Sequence, residues 1–198
     1  FLCGNQEFES FLLRPEKIYE DLNIEMKLGQ RAETIDRLKQ CVRLKNGETC
    51  HYDQLVLATG ARARKLNVSG VNHKNCFYLR DSADVRAIKS VIKAGDRAVI
   101  IGGGYIGLEA AASLKKLGLE VTVIEAMERI LQRVTAPVMS TFYKKVHTDE
   151  GVRIVESEFT KEIVEENDTL QVITASGTKY PADIVIFGIG VIPNTELA

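Results

Sequence analysis

The sequence predicts an α/β fold in which a mostly parallel sheet is layered with helices and a β-meander. Three observations carry this. Residues 97–101, 120–125 and 184–187 are short, largely apolar runs, the pattern of strands buried on both faces. Helix-like segments at 83–94, 105–117 and 137–149 alternate with them. Between 152 and 175 the pattern changes to a succession of strands without helices, at 152–155, 158–165 and 170–175.

The elements follow in order. Pro15 suits the first turn of a helix over 16–21, where its missing N–H removes no bond. Residues 25–28 and 40–45 alternate apolar with polar and read as strands. Asn46-Gly47 signals a type I′ hairpin, whose central residues both take positive φ; that turn would set Cys41 opposite Tyr52. Leu55-Val56-Leu57-Ala58 reads as a strand covered on both faces, ended by Thr59-Gly60. Residues 61–75 hold Gly, Ser and Asn with little periodicity, so they read as a loop and the first domain boundary. Ser82 is placed to cap the helix over 83–94, Asp84 to favour its first turn and Gly95 to end it. Thr135-Ala136-Pro137 opens the helix that runs to about Asp149, and Asn167-Asp168 turns a hairpin.

Composition narrows the function. Lys plus Arg number 26 and Asp plus Glu 27, for a net charge of −1, so a mainly electrostatic nucleic-acid binder is not expected. No apolar run approaches the ~20 residues that span a bilayer, so no membrane partner is expected either. Cys3, Cys41, Cys50 and Cys76 form no C-x-x-C or zinc-type spacing, and His51, His73 and His147 are scattered; free thiols in a cytoplasmic protein without a metal site are the expectation. Lys115-Lys116 and Lys144-Lys145 read as solvated helix faces, and 156–168 as an exposed acidic hairpin face. The chain opens on Phe1-Leu2 and reads as an internal piece of a longer protein.

The most specific signal is Gly102-Gly103-Gly104-Tyr105-Ile106-Gly107, which contains G-x-G-x-x-G between an expected strand and an expected helix. Gly102 permits the tight turn, Gly104 lets main-chain N–H groups approach a pyrophosphate, and Gly107 lets the helix lie close to the sheet. The helix start offers unpaired donors and partial positive charge to phosphate. Glu125 ends the next strand, where a carboxylate accepts hydrogen bonds from adenosine ribose hydroxyls. These residues specify a Rossmann-like, three-layer nucleotide-binding domain with a β-meander. Glu125 favours NADH over NADPH: a 2′-phosphate about 4 Å away would be repelled by roughly 4 kcal/mol at an effective dielectric of about 20. Arg129 and Arg133 lie close enough in sequence to soften that preference.

Four segments together resemble the pyridine nucleotide-disulfide oxidoreductase superfamily. They are Leu55-Val56-Leu57-Ala58-Thr59-Gly60, Gly102 to Glu109, Arg133-Val134-Thr135-Ala136-Pro137 and Gly188-Ile189-Gly190-Val191-Ile192-Pro193-Asn194. They are most similar to its putidaredoxin-reductase and rubredoxin-reductase branch, flavoenzymes that reduce iron–sulfur proteins with NADH. The resemblance implies a partial FAD-binding domain over 1–75, an NADH-binding domain over 76–186 and a return to the FAD domain over 187–198. It implies that Ile106 and Gly103 belong to the NADH turn and that Glu109 sits near the nicotinamide carboxamide. It also implies that Tyr105 screens the flavin and that Gly190 brings backbone close to the nicotinamide. Thr59, Gly60 and Arg64 are implied FAD contacts, while Arg62 is read as solvated. The implied cofactors are NADH and FAD, the latter not retained by this piece, since the family's other flavin motifs are absent. The implied reaction is hydride transfer from nicotinamide to flavin, then electron transfer to a [2Fe–2S] ferredoxin-type protein or rubredoxin, with no acid–base side chain needed. An NADH oxidase, a peroxidase, a disulfide reductase or a non-catalytic NADH-binding module is the alternative.

Overall fold

The computed structural model describes Leu2, Ser10 and residues 12–198; Cys3 lies outside the described residues. The chain packs as two compact units, one over Ala63–Val191 and a second containing residues 12–62 and Ile192–Ala198.

In the first unit, five strands form a parallel sheet: β5 (Cys76–Tyr78), β12 (Ile184–Phe187), β6 (Arg97–Ile101), β7 (Glu120–Ile124) and β8 (Arg153–Val155), side by side in that order. Side chains alternate across it, as period two demands. Ala98, Ile100, Ile184 and Ile186 face one way, into a core with Ile88 of α2 (Ser82–Val91) and Ala110, Ala111 and Leu114 of α3 (Tyr105–Lys116). Val99, Ile101, Val185 and Phe187 face the other way, against Ile163, Leu170, Val172 and Tyr180 of the meander. The meander pairs β9 (Thr160–Glu166), β10 (Thr169–Thr174) and β11 (Lys179–Ala182) antiparallel. The fold is therefore three layers, helix, sheet and meander. Ile100 has no exposed surface, so Ile100→Ala would cost about 2–5 kcal/mol through lost burial and a cavity.

Most elements stand where the sequence puts them, with instructive differences. The cap of α2 is Asp81, not Ser82: its carboxylate accepts from Ala83 and Asp84 N–H (2.8 and 3.0 Å), and Asp84 reciprocates toward Asp81 N–H (3.0 Å). An aspartate one residue earlier closes a full capping box that Ser82 cannot. The helix also ends at Val91, ahead of Gly95. The hairpin at Asn167-Asp168 has both residues at positive φ (52° and 60°), which the type I′ geometry requires. The segment 156–168 is not simply a solvated face, because Glu156 accepts from Ile130 N–H (2.9 Å) and from Lys144 Nζ (2.5 Å).

In the second unit, α1 spans Glu16–Asp21, and β1 (Ala32–Asp36), β2 (Cys41–Leu44) and β3 (Thr49–His51) form an antiparallel sheet. Residues 25–28 are not a strand, and β1 begins after them. At Asn46-Gly47 only Gly47 takes positive φ (89°), and Gly47 N–H donates to Leu44 O (3.0 Å). This is a three-residue loop, a turn followed by a left-handed glycine, rather than the two-residue type I′ form. The register accordingly sets Cys41 opposite His51, and Cys41, Cys50 and Cys76 are free thiols. Residues 55–58 form no strand, and Val56 is 86 % exposed; a β-strand exists only with a ladder partner, and none of the described strands pairs with this segment. Two further strands stand where the chain passes between units, β4 (Ala61–Ala63) and β13 (Val191–Pro193), and they pair with each other. The last helix, α4 (Pro137–Asp149) in the first unit, opens with proline as read. No helix among the described residues is long and apolar enough to cross a membrane.

Candidate functional site

At the C-terminal ends of β6, β7 and β12, the first unit holds a cavity of about 510 Å³. It is a site at strand ends in an open parallel sheet, where such folds bind ligands. Gly102, Gly104, Tyr105, Ile106 and Glu125 line it, and so does Gly190.

The glycines differ in what they do. Gly102 takes φ +111°, and a Cβ there would meet Gly188 O at 2.5 Å. At Gly107 a Cβ would lie 2.0 Å from Gly102 O, so the first turn of α3 packs on the preceding turn only without a side chain. Gly104 is the helix N-cap, brings no side-chain cap, and its absent Cβ leaves open space, the nearest atom being Gly188 O at 3.9 Å. The first-turn N–H groups of α3 thus have no side-chain cap and stand at the cavity, where such donors suit an anion. Gly103 and Gly107 sit beneath it rather than on its wall.

Glu125 is fixed before any ligand arrives. Its Oε2 accepts from Gly103 N–H (2.6 Å) and its Oε1 from Met127 N–H (2.8 Å). A carboxylate has about four acceptor positions, so each oxygen keeps room for a ribose hydroxyl. Of the two neighbouring arginines, Arg129 is committed: its guanidinium donates to Thr135 O (3.0 Å), Ser140 Oγ (2.5 Å) and Gln132 O (3.2 Å). Arg133 lines the cavity and is the one left to offset the carboxylate.

The remaining expected residues are dispersed. Tyr105 is 47 % exposed at the cavity wall. Glu109 lies one helical turn further along α3, exposed and outside the lining. Thr59 and Gly60 stand in the second unit: the Thr59 hydroxyl donates to Asn194 O, and Gly60 O accepts from Asn194 N–H (3.0 Å). Arg64 is exposed and bonds Gly190 O through its main-chain N–H (3.0 Å). Arg62 is not merely solvated, because Nη1 reaches Asn194 Oδ1 and Glu196 Oε1, each at 2.7 Å.

Sequence reasoning did not find Leu66, Gln132, Phe159 and Thr160, which also line the cavity. No motif marks them, and Phe159 and Thr160 reach it only because the tertiary fold brings the start of the meander over the sheet. Two of them hold buried polar atoms without a hydrogen-bond partner, Gln132 Oε1 and Thr160 Oγ1. Orphaned buried polar atoms are uncommon in a folded chain. Among the described residues, no cluster of His, Cys, Asp and Glu could hold a metal ion.

Comparison with known proteins gives the family. Residues 4–198 match the family described as pyridine nucleotide-disulphide oxidoreductase. Putidaredoxin reductase CamA of Pseudomonas putida is 41 % identical over 204 residues, spanning 100 % of this chain and 48 % of that protein. The ferredoxin reductase subunit of the 5,5'-dehydrodivanillate O-demethylase of Sphingobium sp. is 40 % identical, over 98 % of this chain and 48 % of the relative. The crystal structure of a covalent putidaredoxin reductase–putidaredoxin complex superposes with a TM-score of 0.92 at 40 % identity, covering 99 % of this chain and 48 % of that one. The chain spans about half the length of the curated relatives it matches. The chain belongs to the pyridine nucleotide-disulphide oxidoreductase family.

Proposed function

We propose that this chain is the NADH-binding domain, with part of the FAD-binding domain, of a reductase that passes electrons from NADH through FAD to an iron–sulfur partner. Residues 76–186 are assigned to NADH, and residues 1–75 and 187–198 to the FAD-binding domain. The partner is a [2Fe–2S] ferredoxin-type protein or a rubredoxin, on the strength of the relatives' names and of 35–41 % identity to such reductases.

The observation that carries this reading is one cavity shared by the bare first turn of α3 and a pre-positioned Glu125. The pyrophosphate would rest on the first-turn amides beside Gly104, and the adenosine ribose hydroxyls would donate to Glu125. The volume is within the range of small-molecule sites, about 300–1,000 Å³. When bound, NADH supplies a hydride for the flavin. The protein's part is to bind, orient and exclude water. Tyr105 covers the wall beside the pyrophosphate turn, and Gly190, at φ +96°, lets the chain pass the nicotinamide end without a side chain. Glu109 is assigned to the carboxamide end on the family's pattern. Thr59 and Gly60, pinned by Asn194, and Arg64, whose guanidinium has no partner among the described residues, would contact FAD.

The test is the full-length protein loaded with FAD. With NADH it should reduce a [2Fe–2S] ferredoxin or rubredoxin. Absence of turnover with every such acceptor, together with reduction of oxygen, peroxide or a disulfide, would assign the other branch of the family.

A further inference from the structure

Helix α4 packs on the first unit by one face and leaves a second apolar face bare. Ser140 Oγ donates to Ile130 O (2.6 Å), and Tyr143, three residues on, packs with Leu108, Ile130 and Leu131. Val138, Met139, Phe142 and Val146 fall within an arc of about 100° beside that face. All four are exposed, Val138 by 73 % and Phe142 by 56 %. The Phe142 ring meets Tyr143 edge-on, with centroids 5.7 Å apart, so a half-buried neighbour holds it in place. Together the four expose roughly 400 Å², the size of patches that mark interaction sites. Each partner in a standard interface contributes about 800 Å², a little over half of it apolar, and the stripe comes close to that apolar share.

The stripe is also complementary to itself. Val138 and Val146 stand four residues before and four after Phe142. A two-fold axis beside Phe142 therefore sets Phe142 on its own copy and each Val138 on the second copy's Val146, as in an isologous contact. The helix ends agree in charge. The first turn of α4 holds no acidic residue and no side-chain cap, so its partial positive charge is uncompensated. Its other end carries Asp149 and Glu150. Asp149 is paired with Lys145 Nζ (2.5 Å), while Glu150 has no ion-pair partner among the described residues. Antiparallel packing brings Glu150 of each copy toward the uncapped end of the other. We infer that this face of α4 binds a second copy of this chain, as a two-fold antiparallel helix pair centred on Phe142. The inference makes no use of the cavity and is independent of the cofactor assignment.

The experiment is sedimentation velocity over a concentration series, on the 198-residue chain and on the full-length protein. Both should form a reversible dimer. Phe142→Glu should raise the dissociation constant about thirtyfold or more, the effect of losing a central aromatic anchor. Thermal melting verifies that the variant folds. Cross-linking gives an independent readout. Oxidised with diamide, an equimolar mixture of Val138→Cys and Val146→Cys should form mixed disulfide dimers well before either variant couples to itself, against the wild-type background. A monomer at every concentration overturns the inference, and so does a dimer that survives Phe142→Glu or shows no preference for the mixed disulfide. A full-length protein that stays monomeric while the 198-residue chain dimerises also overturns it, and assigns the stripe to the rest of the polypeptide.

Discussion

Two glycines of one motif, three residues apart, have opposite reasons for lacking a side chain. At Gly107 an added Cβ would drive into Gly102 O at 2.0 Å, so Gly107→Ala should cost about 2 kcal/mol or more of stability. At Gly104 the same atom meets nothing closer than 3.9 Å. Gly104→Ala should therefore leave stability within about 0.5 kcal/mol of wild type. It should nonetheless weaken NADH about tenfold by holding the pyrophosphate off its amides. Denaturant melts and NADH titrations of the pair read this double dissociation; equal behaviour of the two variants would contradict it. Glu125 acts through charge, and Glu125→Ala should lower the NADH-to-NADPH affinity ratio by about tenfold, because the like-charge repulsion on the 2′-phosphate disappears. Cys76 illustrates a residue set by its surroundings: burial pushes its thiol up to about 11. Its folded value lies above that of an unfolded cysteine, so this contribution to stability is complete below about pH 8.5 and fades as pH rises through the folded value. Reaction of Cys76 with iodoacetamide at pH 8 should be much slower in the folded chain than after unfolding in urea, since the thiolate is the reactive form.

Among the elements, α4 and the loop before it are joined at one buried hydroxyl. Ser140 is 3 % exposed, donates to Ile130 O (2.6 Å) and accepts from Arg129 Nη1 (2.5 Å). Ser140→Ala should cost about 1–3 kcal/mol, since it leaves part of a guanidinium without an acceptor; a change under a few tenths in urea melts would show that water replaces the hydroxyl. Which elements the sequence reveals follows from where their stability originates. The strands at 97–101 and 184–187, the helix from Tyr105 and the helix from Pro137 carry their own periodicity, and they are found where expected. Gly102, Gly104 and Glu125, set apart by the spacing of the motif, come together on one cavity. Strands β5 and β11 are short and owe their existence to neighbours in the sheet. Residues 55–58 show the converse: apolar enough for a buried strand, but without a ladder partner among the described strands. Gln132 and Phe159 enter the site only through a turn at Leu131 and the run into the meander, and neither leaves a local signature.

On the scale of the whole molecule, the sheet of the first unit is closed electrostatically at the opposite end from the cavity. Asp183, just before β12, accepts from Arg97 at the start of β6, through Nε (2.9 Å), Nη2 (2.7 Å) and the main-chain N–H (2.8 Å). The Arg97 guanidinium holds the Asp183 carboxyl below the usual carboxylate range. A depressed folded value means that the pair stabilises fully above the unfolded value, about pH 4, and that this stability is lost as pH falls through the folded value. The pair is a third exposed, so Asp183→Asn should cost only about 1 kcal/mol at neutral pH. The difference from wild type should shrink as pH falls from about 4, where the unfolded carboxyl protonates, through the lower folded value. A gap that stays constant down to pH 2 would assign the loss to packing. The two units divide the proposed labour, NADH in the first and part of the flavin site in the second. The 198-residue chain should accordingly bind NADH while retaining little flavin. A crystal structure of this chain soaked with NADH decides the matter. Its density should show the pyrophosphate against the first-turn amides of α3 and the adenosine ribose hydroxyls within hydrogen-bond reach of Glu125. Nucleotide bound elsewhere, with that turn and that carboxylate untouched, would contradict the assignment.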